Sequence, residues 1–339
     1  MKGFISGLPK VELHLHIEGT LEPEMMFSLA QKNAVPLPFA SVEALQAAYQ
    51  YNDLLDFIHL YSEGARVLCT EQDFYDLTWA YLHRCKQEHV LHTEIFFDPQ
   101  MHIQNGVAFS TVINGIDRAL LNGREQLGIS SCLILCFLRH LNEDDAIATF
   151  ELALPYKDKI IAVGLDGVER GNPPDKFARV FKMARDAGFK TVAHAGEEGL
   201  VDNIRTAIEQ LKVNRIDHGV KCTGEPALIE TLRQTQIPLT LCPLSNIKLQ
   251  VFERIDDHNI VQLLDEGLCI TINSDDPAYF GGYMNANFMA VAETFNLSKS
   301  TMARFTKMAI QASFLSGDEK AALQARLNHY LDLQFKPVI

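Results

Sequence analysis

The chain has 339 residues, of which 47% are hydrophobic, and 30 basic against 43 acidic residues give it a formal net charge of −13. This length and apolar content suit one large α/β barrel or two ordinary domains, and they exclude a disordered chain. The negative charge, without a Lys/Arg-rich run, argues against a nucleic-acid partner because a phosphate backbone would be repelled.

The cysteines and the N-terminal residues predict a cytoplasmic protein. We expect no membrane association, since the chain has no uninterrupted apolar run long enough to span a bilayer and MKGFISGLPKVELHLH lacks the apolar core of a signal peptide. Seven cysteines without a C-x-x-C pair are typical of reduced, buried thiols. A small-molecule partner fits this composition best, and a homo-oligomer is left open.

The first short apolar run, VELHLH (11–16), indicates a buried strand that carries two histidines. Because successive side chains of a strand point to opposite faces, His14 and His16 project side by side from one face. Two converging imidazoles are half of a zinc site. On this stretch alone, one core histidine beside one surface histidine is an equally good interpretation.

Further along the chain, short apolar runs alternate with longer amphipathic segments, which is typical of βα units around a parallel sheet. Residues 20–90 indicate extra helices, including EPEMMFSLAQKN and NDLLDFIHLYSEGARVL, and we predict that they form a lid over the mouth of a barrel. Residues 298–333 indicate closing helices. The seven later runs are HTEIFF (92–97), SCLILCF (131–137), IIAVGL (160–165), KTVAH (190–194), RIDH (215–218), PLTLC (238–242) and CITINS (269–274).

Eight such strands predict a (β/α)8 TIM barrel as a single domain over residues 1–339, with its active site at the C-terminal ends of the strands. Polar and mostly titratable residues follow every predicted strand. Since buried charge is costly unless it is paired or metal-bound, the series indicates a functional site. The residues are His16 with Glu18, Asp98, Arg139 with His140, Asp166 with Gly167, His194 with Glu197, His218, Ser245 with Asn246, and Asp275 with Asp276.

The ordered motifs HLH (14–16), HAGE (194–197), IDHG (216–219) and SDDP (274–277) resemble those of the adenosine deaminase family of metal-dependent amidohydrolases. The resemblance covers residues 10 to about 330. It implies one Zn²⁺ per chain, held by His14, His16, His194 and Asp275. Zinc lowers the pKa of a bound water to about 7. The related two-metal enzymes carry a bridging lysine after strand 4, and this chain has none there, so one metal is the better prediction.

The resemblance also implies roles for four neighbouring residues. Glu197 would donate a proton to purine N1, His218 would orient the attacking water, Asp276 would bind purine N7, and Gly167 would bring backbone close to the ring. The structural alternatives are a dipole-stabilised carboxylate at a helix N-terminus for Glu197 and a turn at Asp276-Pro277. The segment LDGVERG (165–171) around Gly167 departs from the residues usual in the family.

The implied reaction is hydrolytic deamination of an aminopurine. A metallohydrolase that acts on phosphoesters or lactones would be expected to carry the bridging lysine. A catalytically silent purine-binding relative would be expected to lack Glu197, His218 or a zinc ligand. Neither alternative matches the residues present.

The substrate prediction depends on one departure from the family, which typically reads HLDG after the first strand. This chain reads HIEG, and we expect the longer Glu18 side chain to reach into the volume of a ribose. With SDDPAYFGGY (274–283) and LDGVERGNPP (165–174), it resembles the adenine deaminase branch, which takes the free base. The resemblance predicts conversion of adenine to hypoxanthine and ammonia in purine salvage. An adenosine deaminase, and a deaminase of N6-substituted adenines, are the alternatives.

Overall fold

A computed structural model describes residues 1–335 and confirms the predicted (β/α)8 barrel. The last four residues of the predicted domain, 336–339, lie outside the described residues. The eight strands are parallel and are hydrogen-bonded in chain order. They are β1 (Lys10–His16), β2 (Val90–Phe97), β3 (Ser130–Leu138), β4 (Ile160–Asp166), β5 (Lys190–Ala195), β6 (Arg215–His218), β7 (Leu239–Leu241) and β8 (Ile270–Ile272).

Helices connect and surround the strands, and two of them, α7 and α10, continue as π-helical segments at Gly123–Leu127 and Ala207–Leu211. The α-helices are α1 (Lys2–Gly7), α2 (Pro23–Asn33), α3 (Val42–Ala47), α4 (Leu54–Ala65), α5 (Glu71–Gln87), α6 (Pro99–Gln104), α7 (Phe109–Asn122), α8 (Glu143–Ala153), α9 (Ala178–Asp186), α10 (Val201–Thr206), α11 (Pro226–Thr235), α12 (Pro243–Lys248), α13 (Ile260–Asp265), α14 (Pro277–Phe280), α15 (Met284–Thr294), α16 (Lys299–Ala312) and α17 (Gly317–Phe335).

The interior of the barrel below its mouth is filled by side chains. Strands β2 to β5 contribute a small apolar cluster, and a buried ion pair between Arg215 Nη1 and Glu94 Oε2, 2.6 Å apart, lies among the strands. A filled interior leaves the C-terminal mouth as the place for a cavity. The cluster consists of Phe96, Ile134, Cys136, Ala162 and Val192.

The barrel closes where the chain that follows β8 meets β1. His16 N donates to Asp275 O (3.0 Å), and Asp275 N donates to His14 O (3.1 Å). Just before these bonds, Leu13 N donates to Asn273 Oδ1 (2.8 Å). The predicted strand 269–274 ends early, at Ile272, because the residues after it pair with β1 rather than extend β8. The seam therefore holds Asp275 beside both histidines of β1.

The predicted insertion at residues 20–90 divides into two parts. Helix α4 covers the mouth of the barrel, where Leu54, Phe57 and Tyr61 line the cavity. Helix α5 instead packs outside against α7, and Arg118 Nη1 of α7 donates to Glu71 Oε1 of α5 at 2.9 Å. Helix α5 is thus the ordinary crossover helix that leads into β2.

The predicted closing helices are α16 and α17. Helix α16 packs against β1 and β8, and Tyr330 of α17 donates a hydrogen bond to Phe4 O of α1 at 2.7 Å. Within residues 1–335, none of the helices combines the length and the apolar character needed to cross a bilayer.

Candidate active site

A cavity of about 260 Å³ lies at the C-terminal mouth of the barrel, between the strand ends and α4. Apolar side chains line part of this cavity, among them Phe57, Met101, Leu138, Leu249 and Phe280. The predicted catalytic, metal-binding and substrate-binding residues that also line it follow or end different strands at the same edge of the sheet. They are His16, Gly167, His194, Glu197, His218, Asp275 and Asp276.

The four predicted metal ligands point one atom each toward a common centre. His16 Nε2 lies 3.2 Å from His194 Nε2 and 3.6 Å from Asp275 Oδ1, and His14 Nε2 lies 3.3 Å from that oxygen. A tetrahedral zinc with ligands at about 2.1 Å separates its ligand atoms by about 3.3 Å. Imidazole nitrogens and a carboxylate oxygen are also the donors that zinc takes, so the residues fit such an ion.

The far nitrogens of two of these imidazoles face Asp217. His14 Nδ1 lies 2.9 Å from Thr240 Oγ1, which donates to Asp217 Oδ1 at 2.9 Å, and His194 Nδ1 lies 3.7 Å from Asp217 Oδ2. Since the threonine proton goes to the carboxylate, His14 must donate its Nδ1 proton to the threonine. Its Nε2 is therefore free to bind a metal.

Two further observations fit a cation at this centre. His14 Nε2 is buried and has no hydrogen-bond partner among the described residues, although a buried polar atom normally has one. Burial and the neighbouring His14, His218 and His16 hold the pKa of His194 well below its ordinary value. A neutral imidazole is the form that coordinates metal.

His218 lies between the predicted ligands and Glu197. Its Nε2 is 3.7 Å from Asp275 Oδ2 and 3.5 Å from Glu197 Oε2. Ligand atoms of His14, His194, His218 and Asp275 all lie within 4.8 Å of one another. However, His218 faces the second oxygen of Asp275, not the oxygen near His14 and His16. This position suits the predicted role of orienting a water beside the metal.

A chain of hydrogen bonds fixes the proton on His218. The Ile260 N–H donates to His258 Nδ1 (3.1 Å), so His258 Nε2 carries a proton and donates to Asn246 Oδ1 (3.1 Å). The Asn246 amide then donates to His218 Nδ1 at 3.4 Å. His218 Nε2 therefore carries the proton that faces Asp275 and Glu197. Burial and the neighbouring His14 lower the pKa of His218 to about 3, which keeps the ring neutral.

Glu197 is buried in the cavity wall. Burial raises the pKa of Glu197 well above its ordinary value, and the nearby charges of Asp275 and Glu169 raise it further. Its Oε1 has no hydrogen-bond partner among the described residues. The raised pKa favours the protonated side chain, which could present its proton to a bound molecule.

Glu169 holds the loop that follows His194 and carries Glu197. Its Oε1 accepts hydrogen bonds from Gly196 N (2.7 Å) and Asn203 Nδ2 (2.8 Å), and its Oε2 accepts from Glu197 N (3.0 Å) and Gly199 N (2.8 Å). Sequence reasoning missed this residue. The available signal was a carboxylate within LDGVERG, a segment set apart only for its departure from the family.

Asp276 and Gly167 both line the cavity, as a substrate contact requires. A Cβ at Gly19 would lie 2.0 Å from Asp276 Oδ1, so only glycine lets the carboxylate pack there. Burial and the adjacent Asp275 raise the pKa of Asp276 well above its ordinary value, against the lowering effect of His16. Gly167 has φ of +86°, the left-handed region that glycine adopts without strain.

The structure places Glu18 differently from our expectation. Glu18 does not line the cavity. Its Oε1 lies 2.8 Å from His102 Nε2 and accepts a hydrogen bond from Asp98 N at 3.2 Å. These partners hold the longer side chain behind the cavity wall, so it does not fill a ribose volume directly.

We predict that Glu169→Gln destabilises the loop at residues 196–199. In glutamine, an NH2 group replaces one carboxylate oxygen, and this group cannot accept the two hydrogen bonds that the oxygen accepts. Each buried hydrogen bond lost costs about 1–3 kcal/mol. Urea denaturation should show this loss in the free energy of unfolding, and amide hydrogen exchange should rise across the loop. The exposed Glu209→Gln is the control, and equal behaviour of the two variants would contradict the prediction.

Comparison with known proteins agrees with the motifs. A family model described as adenosine deaminase matches residues 9–330. The adenine deaminase of Vibrio parahaemolyticus is 57% identical over 331 residues, which cover 98% of this chain and 98% of that protein.

Solved structures agree with the fold. The crystal structure of adenine deaminase from Arthrobacter aurescens has a TM-score of 0.95 at 42% identity and covers 96% of this chain and 100% of that chain. An amidohydrolase from Burkholderia ambifaria, with bound zinc, has a TM-score of 0.90 at 26% identity, with 98% and 94% covered. With a family model matched over nearly its whole length, the chain belongs to the adenosine deaminase family.

Proposed function

We propose that this protein hydrolyses adenine to hypoxanthine and ammonia with the help of one zinc ion. The observation that carries the proposal is the cavity itself, where a donor set for a divalent metal stands beside the buried carboxyl of Glu197. The relatives named adenine deaminase, at 57% and 42% identity over nearly the whole chain, support the free base as substrate.

His14, His16, His194 and Asp275 would hold the zinc. When bound, zinc supplies Lewis acidity and lowers the pKa of a coordinated water. The bound zinc of the Burkholderia ambifaria amidohydrolase supports the choice of ion. The four residues supply three imidazole nitrogens and one carboxylate oxygen, and a divalent ion would also offset the negative charge of the surrounding buried acidic groups.

Glu197 is the proposed general acid. A protonated carboxyl that meets purine N1 can donate its proton there, which draws electrons away from C6 and makes that carbon more electrophilic. The raised pKa of Glu197, caused first by burial, favours the protonated form that this role requires. Oε1, which has no partner in the described residues, is free to make the contact.

His218 and Asp276 would orient the two reactants. The Nε2 proton of His218 faces the space between Asp275 and Glu197, where it can hold the oxygen of the attacking water by donating to it. Asp276, whose pKa burial raises, can donate to the N7 acceptor of the purine. The planar ring would pack against apolar lining residues such as Phe57 and Phe280.

The proposal places the protein in cytoplasmic purine salvage. All seven cysteines are free, and five of them are buried. Free thiols in this number suit a reducing compartment.

We expect purified protein to contain one equivalent of zinc per chain. The predicted ligands surround one centre, and LDGVERG offers no lysine that could bridge a second metal. Elemental analysis measures the content, and a chelator should remove both the metal and the activity. Two equivalents per chain, or full activity of metal-free protein, would contradict the prediction.

Glu197→Gln should retain zinc and lose about 10²–10⁴-fold in kcat. The amide preserves the size of the side chain but removes the transferable proton, so the loss falls on turnover rather than on metal content. Steady-state kinetics and elemental analysis of the same preparation separate the two. Glu198→Gln is a matched control, because Glu198 lies next in the chain but accepts hydrogen bonds from the Glu169 and Arg170 amides. Near-parental turnover of Glu197→Gln would remove Glu197 as the acid.

Comparison of kcat/KM for adenine and adenosine tests the proposed substrate. We expect adenine to be strongly preferred, because polar groups arranged for a free base are left unpaired or are blocked when a sugar is attached. Ammonia release measures both reactions under the same conditions. A ratio at or below one would overturn the free-base assignment and leave the deaminase chemistry standing.

A further inference from the structure

Two carboxylates in the cavity wall have no part in the proposed chemistry. Asp98 follows β2 and Asp166 ends β4, and both are 3% exposed. Asp98 Oδ1 and both oxygens of Asp166 lack a hydrogen-bond partner among the described residues. Both residues line the same cavity as Glu197. Buried carboxylate oxygens without donors are costly unless a ligand supplies the donors.

The two carboxylates lie beyond His16 when viewed from the predicted metal centre. His16 Nε2 faces Asp275, whereas its Nδ1 faces outward, 3.5 Å from Asp166 Oδ2 and 3.8 Å from Asp98 Oδ2. A purine whose C6 is placed at the metal extends its N9 side away from that centre. A residue that contacts N9 is therefore expected to lie farther from the metal centre than the metal ligands do.

Asp98 is the better placed of the two acceptors. Its Oδ2 already receives a contact from Tyr61 OH of α4 at 3.4 Å, which leaves Oδ1 free for a ligand. Neither oxygen of Asp166 has a hydrogen-bond donor among the described residues, and its Oδ2 lies 3.5 Å from His16 Nδ1. In Asp98, therefore, Oδ2 is held by Tyr61 and Oδ1 remains available to accept a hydrogen bond from a ligand.

Glu18 fixes the backbone of Asp98. The same Glu18 oxygen that accepts from Asp98 N lies 2.8 Å from His102 Nε2, one turn further along α6. Aspartate at this position would be one methylene shorter and could not span the same gap. The departure from HLDG to HIEG therefore acts on the cavity through Asp98.

We propose that Asp98 Oδ1 accepts the N9–H of the free purine base, and that Glu18 is a positioning residue that holds Asp98 for this contact. The inference rests on the proposed deamination of adenine. Attachment of a sugar or alkyl group at N9 removes the only ring N–H of adenine and leaves the buried carboxylate facing carbon. Discrimination against nucleosides is then a lost hydrogen bond as well as a steric effect.

The test compares adenine with 9-methyladenine, which lacks the N9–H but carries no sugar. Asp98→Ala should lower kcat/KM for adenine by about 10–100-fold, the usual effect of one hydrogen bond to a charged group. For 9-methyladenine, kcat/KM should stay close to the wild-type value. Inhibition constants of hypoxanthine and 9-methylhypoxanthine give the same comparison if turnover of 9-methyladenine is too slow to measure.

Asp166→Asn is the comparison variant, since Asp166 is as buried as Asp98 and also lies close to His16 Nδ1, at 3.5 Å against 3.8 Å. It should lower kcat/KM for both substrates in proportion. An Asp98 variant that also lowers both in proportion would overturn the proposal, because its effect would then pass through His16. A change of selectivity in Asp166→Asn but not in Asp98→Ala would overturn the choice of Asp98. If Asp98→Ala does not fold, Asp98→Asn replaces it, with a smaller shift in the same direction.

The positioning role of Glu18 has its own pair of variants. Glu18→Asp should lower the preference for adenine over 9-methyladenine, whereas Glu18→Gln, whose amide oxygen can still accept both hydrogen bonds, should retain most of it. Equal preference in both variants and the wild type would overturn the role of Glu18. Wild-type protein that fails to deaminate adenine would instead contradict the proposed function, so the two failures are distinguishable.

Discussion

Backbone hydrogen bonds between β1 and the chain after β8 hold the rest of the site in place. They close the barrel and, with the same atoms, set Asp275 against His14 and His16. Asp275 adopts φ of +66°, a left-handed conformation that is unfavourable for a residue with a side chain. The bonds on both sides of it compensate for this cost. Closure of the fold and assembly of the candidate metal site are therefore one structural event.

The second constraint is the density of negative charge at the mouth of the barrel. Five aspartates and one glutamate are buried around three imidazoles that share one centre, namely Asp98, Asp166, Asp217, Asp275, Asp276 and Glu197. Carboxylates in such proximity cannot all remain ionised without a compensating cation. Burial raises the pKa of Glu197 and of Asp276, which favours their protonated, proton-donating forms. The neighbouring His14 lowers the pKa of Asp275 against the effect of burial, which favours its charged, metal-binding form.

Each proposed reactive side chain is held by a partner that does not itself meet the substrate. Glu169 binds the loop of Glu197, Asn246 sets the proton of His218, and Glu18 fixes Asp98. Reactive groups must stay within a fraction of an ångström of their working positions, and a hydrogen-bonded supporting layer provides that precision. By the same logic, we expect a one-methylene change at Glu18, behind the cavity wall, to alter substrate choice through Asp98.

The sequence by itself determined the barrel, the family and the residues that gather at its mouth. Strand periodicity fixes which side chains share a face, and the ends of parallel strands meet at one edge, so His14, His16 and Asp275 could be placed without coordinates. Tertiary structure alone decided where Glu18 points, because its partners Asp98 and His102 lie 80 and 84 residues away in the chain. Tertiary structure also determined which loop Glu169 holds by hydrogen bonds and which ring nitrogen of His218 carries the proton. Local pattern cannot encode such contacts, since side-chain direction at a buried site depends on hydrogen-bond partners that only the folded chain brings together.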